Sequence, residues 1–282
     1  MKKIIVPTDF SPTAEKAQNF AVQSAKLFDA EVTLLHAFEI EKFTTADYTG
    51  YDNDLVKKMM DQIEKSFNKA KQYIADMDDV EVKTHLSSYS LNTSIKEIEK
   101  ENQADLIVMG TIGQGGIGRS LWGTRTSSLI GKAKTPIMVI PYNYTWKKPS
   151  KILFLTNKFE KDPEILNYIF EWAGLYTANV EVGVFTDVDG DKAEKFFENK
   201  EKLEEYESFI KEEFYEKSIV SQHLVGYEFE DTLNEYIQEN EVDMVVMVTY
   251  PRGILSRLFN KSLTKEMSYN TQIPLLAISA KG

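Results

Sequence analysis

The chain has 282 residues, of which 42% are hydrophobic, so it is long enough and apolar enough for two ordinary domains, each with its own core. It contains no cysteine, which excludes disulfides, thiolate metal sites and cysteine nucleophiles and fits a reducing compartment. Residues 1–148 carry 19 basic and 19 acidic side chains and the rest carry 14 and 25, so the whole net charge of −11 lies in the second half and disfavours nucleic acid as a partner.

The opening MKKIIVPTDF has an apolar run cut by Pro7, too short for a leader. No apolar stretch approaches the roughly 18 residues of a membrane span. The expectation is a cytoplasmic chain with no membrane partner. Lys3–Thr8 (KIIVPT) reads as a buried strand, and Ser11-Pro12 announces a helix, since a proline in the first turn loses no needed hydrogen bond. Ala17, Phe20, Ala21, Ala25 and Phe28 give that helix one apolar face. A second strand follows at Glu31–Ala37, then a long polar helix over about Asp52–Asp76 and a third strand ending at Leu86. Leu106–Met109 is a fourth strand, short and apolar enough to be buried on both faces, and Ile137–Ile140 is a fifth.

The pattern then repeats. Lys151–Thr156 (KILFLT) reopens it, and Asp162-Pro163 caps a helix carrying Ile165, Ile169, Trp172, Ala173 and Tyr176 on one face. A strand at Asn179–Phe185, a long polar helix over about Asp189–Lys217 and a strand ending at Leu224 follow. Glu101–Met109 (ENQADLIVM) and Glu239–Met247 (ENEVDMVVM) share five of nine residues at a constant offset of 138, which also matches His85 with His223 and Pro136 with Pro274. The fold class is therefore α/β, with two tandem open five-stranded mainly parallel sheets and helices on both faces. The expected division is a first domain over 1–141, a linker over 142–150 and a second domain over 151–282.

Chemistry concentrates after the fourth strand, in GTIGQGGIGRSLWGTRT. Glycines there tolerate positive φ and bare their N–H groups, and hydroxyls near a following helix start favour anions, although a tight surface turn would use the same residues. The Walker pattern is absent, because Gly131-Lys132 is followed by Ala133. Gly113, Gly115 and Gly118 fit G-x-G-x-x-G, but that fingerprint belongs on the first strand of its unit, with an acid closing the second.

Gly110, two residues, Gly113, nine residues and Gly123-Thr124 resemble the G-x2-G-x9-G-[ST] signature of the universal stress protein family in its ATP-binding branch. The opening KKIIVPTDFS is similar to that family's first strand, and the order of elements resembles the family over the whole chain. The resemblance implies a stress-response module that binds ATP with Mg²⁺. Adenine would lie against the ends of the first two strands, at Pro7, Thr8 and the backbone of Ala37 or Phe38. Asp9 would stand near the ribose or a nucleotide-bound Mg²⁺, Gly110 near the ribose, and Gly113, Gly123, Thr124, Arg125 and Thr126 around the phosphates. The resemblance also implies pairing through the last strand of each half, hence an intrachain pseudo-dimer of Pro136–Pro141 and Pro274–Ser279, with a homodimer through another surface left open.

Other readings stand beside these. Asp9 could instead form an Asx turn before the Ser11 cap, and Thr124 and Thr126 could be helix-surface hydroxyls. In the second half Gly110, Gly113 and Gly123 become Val248, Pro251 and Lys261, and Asp9 becomes Asn157, so the nucleotide motif is lost there. Arg252, Arg257 and Lys261 could still receive another anion. An enzyme of the same fold, a slow ATPase or a nucleotide-transferring one, and a small-ligand binder through the second half are the alternatives. His36, His85 and His223 lack metal-ligand spacing, and the repeat equivalence of the last two suggests packing. Tyr142, Tyr144 and Trp146 could stack on a base or pack within the linker.

Overall fold

The structure is a computed structural model that describes residues 2–39, 53–77, 80–111, 124–130, 132–214, 219–250 and 273–280. The described residues up to Trp146 form one compact unit and those from Lys147 onward another.

In the first unit the elements are β1 (Lys3–Pro7), α1 (Pro12–Phe28), β2 (Glu31–Ala37), α2 (Asn53–Met77), β3 (Val82–Ser87), α3 (Leu91–Lys100), β4 (Leu106–Gly110), α4 (Thr124–Leu129) and β5 (Ile137–Ile140). The strands lie in the order β3-β2-β1-β4-β5, and every pairing is parallel. The second unit contains β6 (Lys151–Leu155), α5 (Pro163–Tyr176), β7 (Asn179–Asp187), α6 (Ala193–Glu213), β8 (Val220–Gly226), α7 (Phe229–Glu239), β9 (Met244–Thr249) and β10 (Leu275–Ser279). Its order is β10-β9-β6-β7-β8, again parallel throughout. The two five-stranded sheets expected from the repeat are both present.

Strand burial follows position. β1, β4 and β5 are buried almost throughout because helices cover both sheet faces, whereas β3 at the outside of the order buries only Val82 and Ser87. His85 lies on that strand and is exposed, so the packing role suggested by its repeat partner does not hold. His223, on β8, does bond inward, through Nε2 to the Thr186 hydroxyl at 2.8 Å.

Both expected helix starts form as capped turns. The Ser11 hydroxyl accepts the Ala14 N–H at 3.2 Å, Asp162 accepts that of Glu164 at 2.9 Å, and proline occupies the first turn of each helix. Each cap stabilises its helix by about 1 kcal/mol. Behind them, Phe20 in one unit and Trp172 and Tyr176 in the other are fully buried. Tyr144 and Trp146 of the expected linker pack their rings on Phe20, at 6.1 and 5.2 Å between centroids, while Tyr142 stays exposed.

The repeat also preserves a tether between strands. Asp105, just before β4, accepts the Lys3 N–H at 2.7 Å, and Asp243, just before β9, accepts that of Lys151 at 3.1 Å. Return bonds run from the Asp105 N–H to the Lys3 carbonyl and from the Asp243 N–H to the Lys151 carbonyl, at 2.8 and 2.9 Å. Each aspartate thus sets the register of the two central strands of its sheet, which positions their carboxyl ends.

Candidate functional site

In a sheet ordered β3-β2-β1-β4-β5 the chain leaves β1 toward one side and later returns to its other side as β4. Ligands of such sheets bind outside the carboxyl ends of the strands at this switch point. Three adjacent strand ends meet there: Pro7-Thr8-Asp9 after β1, Ala37-Phe38 after β2 and Gly110 at the end of β4.

The β1 end is fixed by a dense set of bonds around Thr8. Its N–H donates to Leu35 O at 2.8 Å, and its buried hydroxyl oxygen accepts the Phe10 N–H at 3.0 Å and Gln18 Nε2 at 2.9 Å. The Thr8 carbonyl meets His36 Nδ1 at 2.7 Å; a carbonyl only accepts, so that nitrogen carries the hydrogen. Phe10 adopts left-handed backbone, φ 60°, and its ring stacks on His36 at 4.9 Å and meets the edge of Phe67 at 5.2 Å. Gln18 also walls a cavity of about 490 Å³ between α1 and α2, beside Asn19, Val22, Lys69 and Tyr73.

Asp9 forms the Asx turn that the sequence allowed, with Oδ1 accepting the Ser11 N–H at 3.1 Å. At the β2 end the Phe38 N–H donates to Ser87 O at 2.8 Å and the Phe38 side chain is buried, so this donor is committed to the sheet. Gly110 has a packing reason of its own. A Cβ there would lie 2.5 Å from Thr13 Cγ2 and 2.9 Å from Thr13 O, so only glycine lets the first turn of α1 rest on the end of β4. Thr126, in the first turn of α4, is buried and donates its hydroxyl to Gly110 O at 2.8 Å. Thr124 and Arg125 begin that helix, whereas Gly113 and Gly123 lie outside the described residues. Among the described residues no group of three or more His, Asp or Glu could hold a metal ion.

Residues 1–141 match the universal stress protein family. The chain belongs to that family. A universal stress protein of Methanocaldococcus jannaschii is 31% identical over 150 residues, covering 53% of this chain and 84% of the relative. A Staphylococcus aureus relative is 31% identical over 140 residues, 49% of this chain and 83% of its own length. Among solved structures, a universal stress protein from Archaeoglobus fulgidus resembles the fold with a TM-score of 0.72 over 98% of this chain and 97% of its own, at 13% identity. This universal stress protein therefore carries the fold twice, and no helix among its described residues is long and apolar enough to cross a membrane.

Its second unit differs at the same switch point. Residues 8–11 join β1 to α1, whereas residues 156–162 join β6 to α5, a connection three residues longer. Val248 takes the place of Gly110 in β9, and the longer loop is the one whose helix has no glycine to rest on. Tyr250, just past β9, donates its hydroxyl to the Glu160 carboxylate, and Tyr206 of α6 donates to the Glu160 carbonyl. Sequence reasoning missed Gln18, Glu160, Tyr206 and Tyr250. Gln18 had a signal, since it shares the apolar face of α1 with Ala14, Ala17 and Ala21. The other three come together only through tertiary packing.

Proposed function

We propose that the first unit binds one ATP, with Mg²⁺ carried on its phosphates, and that this occupancy regulates the protein's interactions. The observation that carries the reading is the meeting of Thr8-Asp9, Ala37 and Gly110 at the switch point of the half whose Gly110, Gly113, Gly123-Thr124 spacing is intact. Adenine would sit against the β1 and β2 ends. Because the Phe38 N–H already serves Ser87, the base would be read by the remaining backbone of Ala37 and Phe38. Asp9 would face the ribose or the Mg²⁺. Gly113, Gly123, Thr124 and Arg125 would offer N–H groups, a hydroxyl and a guanidinium to the phosphates, while Thr126 holds the start of α4 against Gly110.

Bound Mg²⁺ would neutralise phosphate charge; the chain itself supplies donors suited to holding a ground state, which gives affinity without rate. Mass spectrometry under native conditions, on protein purified without added nucleotide, tests the proposal. Bound ATP in the wild type and none in Gly113→Val is the expected result. Protein without nucleotide that also fails to take up added Mg·ATP would sink it.

A further inference from the structure

The switch point of the second unit holds an open groove of about 550 Å³, within the roughly 300–1,000 Å³ of small-molecule sites. The longer β6–α5 loop forms one wall with Lys158, Phe159 and Lys161, α6 forms the other with Lys202 and Tyr206, and Tyr250 closes the end.

That loop is held in place rather than draped. The Glu160 carbonyl accepts the Tyr206 hydroxyl, its Oε2 accepts the Tyr250 hydroxyl, and its Oε1 accepts the Asp162 N–H at 2.8 Å. Phe159 takes left-handed backbone, φ 51°, fixed by its N–H on the Thr156 hydroxyl at 2.8 Å and by edge packing on Tyr206 at 5.7 Å. Burial, and then the neighbouring Glu160, push both phenols above their ordinary range, so they remain donors at every physiological pH. The Glu160 carboxylate is thus already bonded through both oxygens.

The lysines are held differently. Lys158 Nζ stands 3.8 Å from the centre of the Tyr250 ring, and Lys161 Nζ stands 4.9 Å from that of Phe209. A ring face attracts an ammonium without using its N–H donors against a carboxylate. Among the described residues neither lysine has a carboxylate partner, whereas Lys202 is paired with Glu198 at 2.5 Å. Glu205 also lines the groove, so with Lys202 paired to Glu198 the two ring-held lysines face the Glu160 and Glu205 carboxylates. In a half with 14 basic and 25 acidic residues, the groove is a concavity where cations and acids balance and two ammonium groups keep N–H donors to offer.

We propose that this groove is a binding site for a small organic oxyanion with a planar ring, the charge held by Lys158 and Lys161 and the ring set against Phe159, which the buried Tyr206 backs. The site is independent of the nucleotide proposed for the first unit, and it uses the three-residue insertion that accompanies the loss of the glycine motif.

The test uses the full chain with phenyl phosphate as probe, and inorganic phosphate and phenol as controls, followed by calorimetry at low salt. Phenyl phosphate should saturate with one site, bind at least tenfold more tightly than either control, and weaken at least tenfold in Lys158→Gln/Lys161→Gln. Gly113→Val should leave this binding intact. Thermal melting of the double variant separates loss of the site from loss of the fold, and Tyr250→Phe, which keeps the ring under Lys158, provides a second variant that should retain at least part of the binding. No saturable binding of phenyl phosphate, or undiminished binding by a folded double variant, would overturn the proposal. Equal affinity for inorganic phosphate would overturn the role given to the aromatic walls.

Discussion

The Thr126 hydroxyl donates to the Gly110 carbonyl at 2.8 Å, tying the first turn of α4 to the last residue of β4. The two ends of the glycine-rich segment are therefore fixed to one another independently of any ligand. Thr126→Val keeps the shape and removes the donor, at a cost of about 1 kcal/mol for a hydrogen bond of this kind. Urea unfolding should register that loss, and ATP affinity should fall along with it. Thr126→Ser should recover both; a serine variant that behaves like the valine variant would show that the methyl, not the hydroxyl, matters.

Gly110 is required by packing before any ligand is considered. Adding one methyl group in Gly110→Ala places a carbon against Thr13 Cγ2 and Thr13 O, and the backbone oxygen cannot rotate away. Overpacking of this sort costs about 1–3 kcal/mol. The variant should melt at lower temperature than the wild type with no nucleotide present. Thr13→Ala should restore only part of the loss, since the backbone contact persists. Unchanged stability in Gly110→Ala would mean that the first turn of α1 is free to move off the strand.

Asp243 gives the second unit a defined acid sensitivity. Burial pushes its carboxyl upward, but Lys147 Nζ at 2.6 Å and the bonds from the Ser150 hydroxyl and N–H and the Lys151 N–H outweigh this and hold it below the ordinary carboxylate value. With its folded pKa depressed, the group's contribution is complete above its unfolded value of about 3.9 and is lost as pH falls through the folded one. Asp243→Asn should cost about 1–3 kcal/mol near neutral pH. Its unfolding free energy should also depend less on pH below about 4 than that of the wild type. Parallel acid-unfolding curves for the two proteins would contradict this assignment.

His223 acts at milder pH. Its Nε2 bonds the buried Thr186 hydroxyl at 2.8 Å, and that oxygen also accepts Asn199 Nδ2 at 2.8 Å. Burial, and then Lys200, hold the imidazole below its usual value. Since the unfolded chain takes up the proton first, stability is complete above about pH 6.5 and declines as pH falls toward the folded pKa. Imidazole resonances should titrate with a midpoint below about 6.5 for His223, and the decline in melting temperature over that window should flatten in His223→Gln. A midpoint above that value would reverse the sign and refute the account.

Much of this was legible in the chain. The repeat at 138 residues, the two proline-started helices and the buried central strands follow from periodicity and capping, which act locally. Asp187 shows where local reading stopped. Its Oδ1 collects the N–H groups of Asp189 and Gly190, at 2.9 and 2.8 Å, so α6 starts at Ala193 rather than at Asp189. At the candidate site, the strand ends at Pro7, Ala37 and Gly110 were legible, because strand ends can be read from apolar runs. The contact of Gly110 with Thr13, the Thr126 brace and the tyrosines on Glu160 depend on how closely helices approach the sheet. That distance is set by connection length and by packing across residues far apart in sequence.

The central claim is that one nucleotide binds per chain, in the first unit. Calorimetric titration of nucleotide-free full-length protein with Mg·ATP measures it directly. The account predicts a stoichiometry near one, abolished by Gly113→Val and unaffected by Lys158→Gln/Lys161→Gln. Two equivalent sites, no binding, or full binding by Gly113→Val would contradict it.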